Sequence, residues 1–181
     1  MNQSLWICRL RISVLPLVLG MCVCLSAPLA RSATGAGVCS ASPEARRLDF
    51  WVGNWTVTYP GMPGSANSQV QLSLDKCLIT ESWDGGKGHS GENFFAYSAD
   101  DKKWHGLFAD NEGRVHVFEG QVTAGAADFT GTSRGDDGRR VLNRIKVTRK
   151  TATECEQSWE KSNDNGATWT MVFQGEYARR P

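Results

Sequence analysis

Glu81 is the carboxylate in this chain best placed to do chemistry. It lies between Ile79 and Trp83 at alternating spacing, so in an extended segment all three point to one side. An inward carboxylate is costly unless it is paired or hydrogen-bonded, and burial raises its pKa into a range useful for ligand recognition or acid–base work. Asn93, Asn143 and Gln157 fall on the inward parity of their own segments and are the partners expected for it. Trp83, Phe95, Trp104 and Trp159 belong to the same interior, where they serve as core or wall a pocket. These eight residues form the expected ligand-binding set.

No catalytic set accompanies them. Ser90-Gly91 and Thr132-Ser133 have no base close in sequence, and no Gly-x-Ser-x-Gly, His-Glu-x-x-His or phosphate loop occurs. The three histidines are His89, His105 and His116. None is spaced with other ligands as a metal site requires, and a haem barrel needs an imidazole aimed into an apolar cavity as axial ligand. No metal and no cofactor is therefore expected.

Positioning such residues requires strands. After about Gly53, period-2 segments rich in aromatic and β-branched residues recur near 54–59, 68–75, 77–84, 91–98, 103–109, 114–122, 126–133, 139–149, 152–161 and 168–178. Turn signals such as Pro60-Gly61, Asp84-Gly85-Gly86, Asp136-Asp137-Gly138 and Asn165-Gly166 separate them. About ten strands on short connections predict an all-β, antiparallel up-and-down barrel that closes its own edges. Alternation places Trp55, Val57 and Tyr59, then Val141, Asn143, Ile145 and Val147, then Cys155, Gln157 and Trp159 inside, and also Trp169, Met171 and Phe173. Segment 114–122 reads both ways, Val115 and Val117 competing with His116 and Phe118. Ahead of the strands, Ser42-Pro43-Glu44 reads as N-cap, first-turn proline and acidic first turn of one short helix near 43–51 that caps the barrel.

The N-terminus reads as an export segment. Arg9 and Arg11 precede the apolar run Ile12 to Leu25, small residues follow, and Pro16 interrupts a run already short for a membrane span. Residues 1–33 are expected to be a signal peptide, 34–41 a flexible tail and 42–181 the barrel, giving a periplasmic or secreted protein with no membrane association after cleavage. Residues 1–33 hold three basic residues, Arg9, Arg11 and Arg31, leaving 17 basic against 19 acidic side chains and no block of like charge. A basic stripe with interleaved aromatics, the footprint of a nucleic-acid groove, is absent. Export puts Cys39, Cys77 and Cys155 in an oxidising compartment, where one disulfide and one buried thiol are expected.

Leu48-Asp49-Phe50-Trp51-Val52-Gly53-Asn54-Trp55 resembles the opening of a family of exported bacterial proteins of unknown function with a D-F-W-x-G-x-W motif. The likeness continues through Cys77 to Trp83, Lys103-Trp104-His105, Gln157 to Glu160 and Tyr177 to Arg180, with Cys155 a departure from the pattern. A looser likeness is to the calycins (lipocalins, fatty-acid-binding proteins, nitrobindin-type barrels). It rests on Gly53-Asn54-Trp55 entering the first strand and on Arg179 or Arg180 near the last, residues that close the barrel in that group. The resemblance implies export and a calycin-like barrel. It also favours a Cys39–Cys77 disulfide, which would staple the capping helix to a strand start, with Cys155 left as the thiol. Ser162 to Trp169 matches the S-x-D-x-G-x-T-W box of sialidases, but a single copy reads as a β-hairpin turn.

The expected function is binding of an unknown, partly apolar small molecule. An enzyme using Glu81 as acid or base, and a structural or interaction domain with a filled core, are the alternatives.

Overall fold

The structure is a computed structural model that describes residues 37–181. The expected signal peptide and the first residues of the expected tail lie outside the described residues. Ten strands follow one another: β1 Gly53–Tyr59, β2 Met62–Ser73, β3 Leu78–Asp84, β4 Ser90–Ser98, β5 Lys103–Asp110, β6 Val115–Thr123, β7 Ala126–Arg134, β8 Arg140–Arg149, β9 Glu154–Ser162 and β10 Thr170–Arg179. Each pairs antiparallel with the next, and β10 pairs with β1, so the sheet closes into a barrel. This closed ten-strand antiparallel barrel is consistent with a calycin-like fold, and closure leaves no strand edge unpaired.

The helical segment differs from expectation. Ser42 does cap it, its Oγ accepting from the Ala45 amide at 3.3 Å. Beyond that, the expected single helix is two 3₁₀ turns, Glu44–Arg46 and Asp49–Trp51, with Leu48 between them at φ −90°, ψ 0°. The carbonyls near the end of the segment bond to side chains from the barrel instead of continuing a helix. The Trp55 indole donates to the Trp51 carbonyl at 2.8 Å, and Arg179 donates to those of Val52 (2.8 Å) and Phe50 (3.3 Å). Short 3₁₀ pieces tolerate such diversion, whereas a long α-helix does not.

This segment plugs one end of the barrel. Leu48 and Trp51 are fully buried, and Trp51 meets Phe95 and Tyr177 edge-on at 5.8 and 6.3 Å between ring centroids. Burying side chains of this size contributes about 1.5–3 kcal/mol each. A disulfide joins Cys39 to Cys77 and ties the plug to the turn between β2 and β3. Val38–Ala41, within the stretch expected as a tail, forms a single helical turn, α1, carrying that bridge, and the Ser40 hydroxyl donates to the Asp75 carbonyl at 3.3 Å. Cys155 is a buried free thiol.

At the junction of β10 and β1 the Arg179 guanidinium carbon lies 4.3 Å from the centre of the Trp55 ring. Gly53, at φ +150°, passes so close beneath Arg179 that a Cβ there would collide with the guanidinium. Two inward assignments need correction. Met171 is about half exposed, and Trp169 stacks on Arg144, an outward residue of β8, at 4.1 Å. A register shift between Met171 and Phe173 reverses the alternation, so only Phe173 and the residues after it keep the inward parity. In β6 the ambiguity resolves: Phe118 is buried, His116 half-buried, and Val115 and Val117 are exposed.

Candidate functional site

The turns β2–β3, β4–β5, β6–β7 and β8–β9 lie at the plugged end with the N-terminal segment. The turns β1–β2, β3–β4, β5–β6, β7–β8 and β9–β10 ring the opposite end, which up-and-down alternation requires. A cavity of about 710 Å³ runs inward from this second end. That volume lies within the range of small-molecule pockets, roughly 300–1,000 Å³.

The floor is polar and is set by register. β3 pairs with β2 and β4 so that Glu81 faces Val70 on one side and Asn93 on the other. Ser68, two residues from Val70 on the same face, donates to Glu81 Oε1 at 2.6 Å, and Asn93 donates to Oε2 at 2.7 Å. The Tyr177 hydroxyl stands 3.4 Å from Glu81 Oε1 and donates to Gln157 Oε1 at 2.5 Å. Glu81 is 1% exposed, yet it borders the cavity. Burial pushes its carboxyl up to about 7, against the downward pull of the hydrogen bonds from Ser68, Asn93 and Tyr177; nearby Glu92 adds a small upward push. Burial, reinforced by Glu81, raises Tyr177 well above the usual phenol range, so its hydroxyl remains a donor.

The walls are aromatic. Trp83 meets Phe173 edge-on at 6.2 Å, and Trp159 meets Phe108 at 5.5 Å and His116 at 4.7 Å. Asn143 fixes the Trp159 ring by accepting from its indole N–H at 3.0 Å, and its own amide donates to the Ser133 hydroxyl at 2.9 Å. Burial first, and then Arg114, lower the His116 pKa against a smaller upward pull from Asp110. Trp83 Nε1 and His116 Nδ1 are buried without a hydrogen-bond partner.

At the rim, His89, Asp110 and Glu112 bring ligand-type atoms within 4.8 Å of one another. The Arg114 guanidinium already occupies this cluster, at 2.6 Å from Asp110, 2.8 Å from Glu112 and 3.2 Å from His89. The cluster is thus a rim ion-pair network built around an internal cation.

Of the expected ligand-binding residues, Glu81, Trp83, Asn93, Asn143, Gln157 and Trp159 all border the cavity. Asn143 is not a partner of Glu81, because it stands higher in the wall and bonds Trp159 and Ser133. Phe95 and Trp104 are not part of the cavity wall. They share the inward face but sit nearer the plug, Phe95 against Trp51 and Phe129 and Trp104 against Tyr97. Each two-residue step along a strand is a rise of about 7 Å, so inward residues of one strand occupy different levels. Sequence reasoning missed Ser68, Phe108, His116, Phe173 and Tyr177 as site members. Parity with Val70 was a signal for Ser68, and parity with Phe173 for Tyr177.

No protein-family model and no curated protein matches the chain. The functional reading therefore rests on the barrel and its cavity. The bridge Cys39–Cys77 fits an oxidising compartment. No helix among the described residues is long and apolar enough to cross a membrane.

Proposed function

We propose that this protein is an exported, calycin-like barrel that binds a partly apolar small molecule in the cavity above Glu81. The observation that carries the reading is an open volume of about 710 Å³ with aromatic walls and a hydrogen-bonded carboxyl at its floor. A domain with a filled core would leave no such space. The N-terminal run behind Arg9 and Arg11, the disulfide, and the likeness to exported proteins with the D-F-W-x-G-x-W opening support export. One observation favours a second reading, acid–base chemistry by Glu81: its carboxyl titrates near 7, where a general acid or base works best.

Titration of the purified protein with the neutral dye Nile red tests the binding reading. One dye per chain, with quenching of tryptophan fluorescence from Trp83 and Trp159, is the expected result. Ser133→Trp, which puts an indole beside the cavity, should abolish uptake. Failure of the dye to bind, or binding unaffected by Ser133→Trp, would overturn the assignment.

A further inference from the structure

Buried carboxylates in proteins are paired with cations or neutralised by protonation. Glu81 accepts hydrogen bonds from neutral groups alone, Ser68 and Asn93, with the neutral Tyr177 hydroxyl 3.4 Å away. Among the described residues no Lys, Arg or His forms an ion pair with it; the pairs that do form lie at the rim, on the outer wall and in the N-terminal segment. The charged neighbour that acts on it, Glu92, has the same sign. The carboxylate thus has no counter-ion from its own chain, and it borders open space.

Above it, Trp83 lies two residues along the same strand face, about 7 Å higher. The Trp83–Phe173 and Phe108–Trp159 pairs both line the cavity. Aromatic faces are negative and attract cations, most strongly where water is excluded. Resting on the reading of this cavity as a ligand site, we propose that its ligand is an organic amine. The ammonium group supplies the counter-ion missing at Glu81, and the apolar body lies between the two aromatic pairs.

The rim does not oppose this. Arg114 is held by Asp110 and Glu112, and Arg139 by Asp137. Arg134 and Lys161, which form no ion pair among the described residues, are exposed, and both border the cavity together with the acidic Asp136. Their field is screened over roughly 8–10 Å in physiological salt. A ligand carboxylate, by contrast, would meet a like charge at Glu81, and an alcohol would leave the carboxylate without a counter-charge.

Calorimetric titration at pH 7.5 with 4-phenylbutylamine, 4-phenylbutan-1-ol and 4-phenylbutyrate compares three head groups on one apolar body. The amine should bind at least about tenfold more tightly than the alcohol, the scale of one charged hydrogen bond, with the acid weakest. Glu81→Gln should erase the amine's preference over the alcohol. Trp83→Leu keeps the carboxylate and should weaken the amine more than the alcohol; it decides the matter with the wild-type ranking if Glu81→Gln does not fold. Equal or stronger binding of the alcohol or acid, or an amine preference that survives Glu81→Gln, overturns the proposal. Nile red uptake without amine preference sinks this inference alone. Absence of dye uptake sinks the cavity reading and this inference with it.

Discussion

Glu81 and Asn93 face each other directly across β3 and β4, and the Asn93 amide donates to the Glu81 carboxylate at 2.7 Å. The pairing register itself therefore delivers a neutral donor to a buried acid. Burial, which outweighs that hydrogen bond, raises the carboxyl to about 7 in the folded protein against an ordinary value of 4.5. Between those values the folded protein keeps a proton that the unfolded chain has lost. The stabilising contribution is therefore fully present below about pH 4.5 and is lost as pH rises through 7. Thermal or urea unfolding from pH 4 to 8 should show wild type losing roughly 3 kcal/mol relative to Glu81→Gln across that window. A constant difference between the two proteins would show that Glu81 does not hold its proton.

Arg179 is the fastening of the barrel seam. It covers Trp55 at 4.3 Å and donates to two carbonyls of the plug. Arg179→Met keeps the apolar stem but removes the cation–π contact and both hydrogen bonds. It should cost roughly 2–4 kcal/mol in urea unfolding. Gly53→Ala should also destabilise, since its Cβ points into the guanidinium. Full stability in both variants would show that the seam is held elsewhere.

Cys39 and Cys77 are 38 residues apart in sequence, and their bridge restrains the unfolded chain over that loop. The double change to serine should cost roughly 3–4 kcal/mol. Burial pushes the Cys155 thiol up to about 11. In protein lacking residues 1–33, which carry Cys8, Cys22 and Cys24, native Cys155 should therefore stay unmodified by iodoacetamide at pH 8, with one equivalent incorporated after denaturation. Peptide mapping that finds Cys155 in a disulfide would contradict the pairing.

Strand order and most inward residues were legible because alternation and turn chemistry are local signals. Asn165-Gly166 is one such signal: both residues adopt positive φ, and Asp164 ties the hairpin by accepting from the Thr168 amide and hydroxyl at 2.9 and 2.6 Å. Glu81 was legible for the same reason. What alternation cannot supply is height along the barrel axis, which depends on register between strands. Parity alone places Phe95 and Trp104 in the pocket, but pairing puts Phe95 opposite Ile79, one level below Glu81. Tyr177 reaches Glu81 from β10, 96 residues along the chain, which no local signal encodes, whereas Ser68, 13 residues away on neighbouring β2, follows from parity with Val70. The reversal at Met171 followed from a bulge, a change of register that periodicity does not encode.

Binding of a small molecule in the cavity above Glu81 is tested most directly by native mass spectrometry of the protein purified from its own host. The account predicts a bound mass that is released on denaturation, is present once per chain, and is missing from Ser133→Trp purified in the same way. A wild-type protein that carries no bound mass and still refuses Nile red would contradict it.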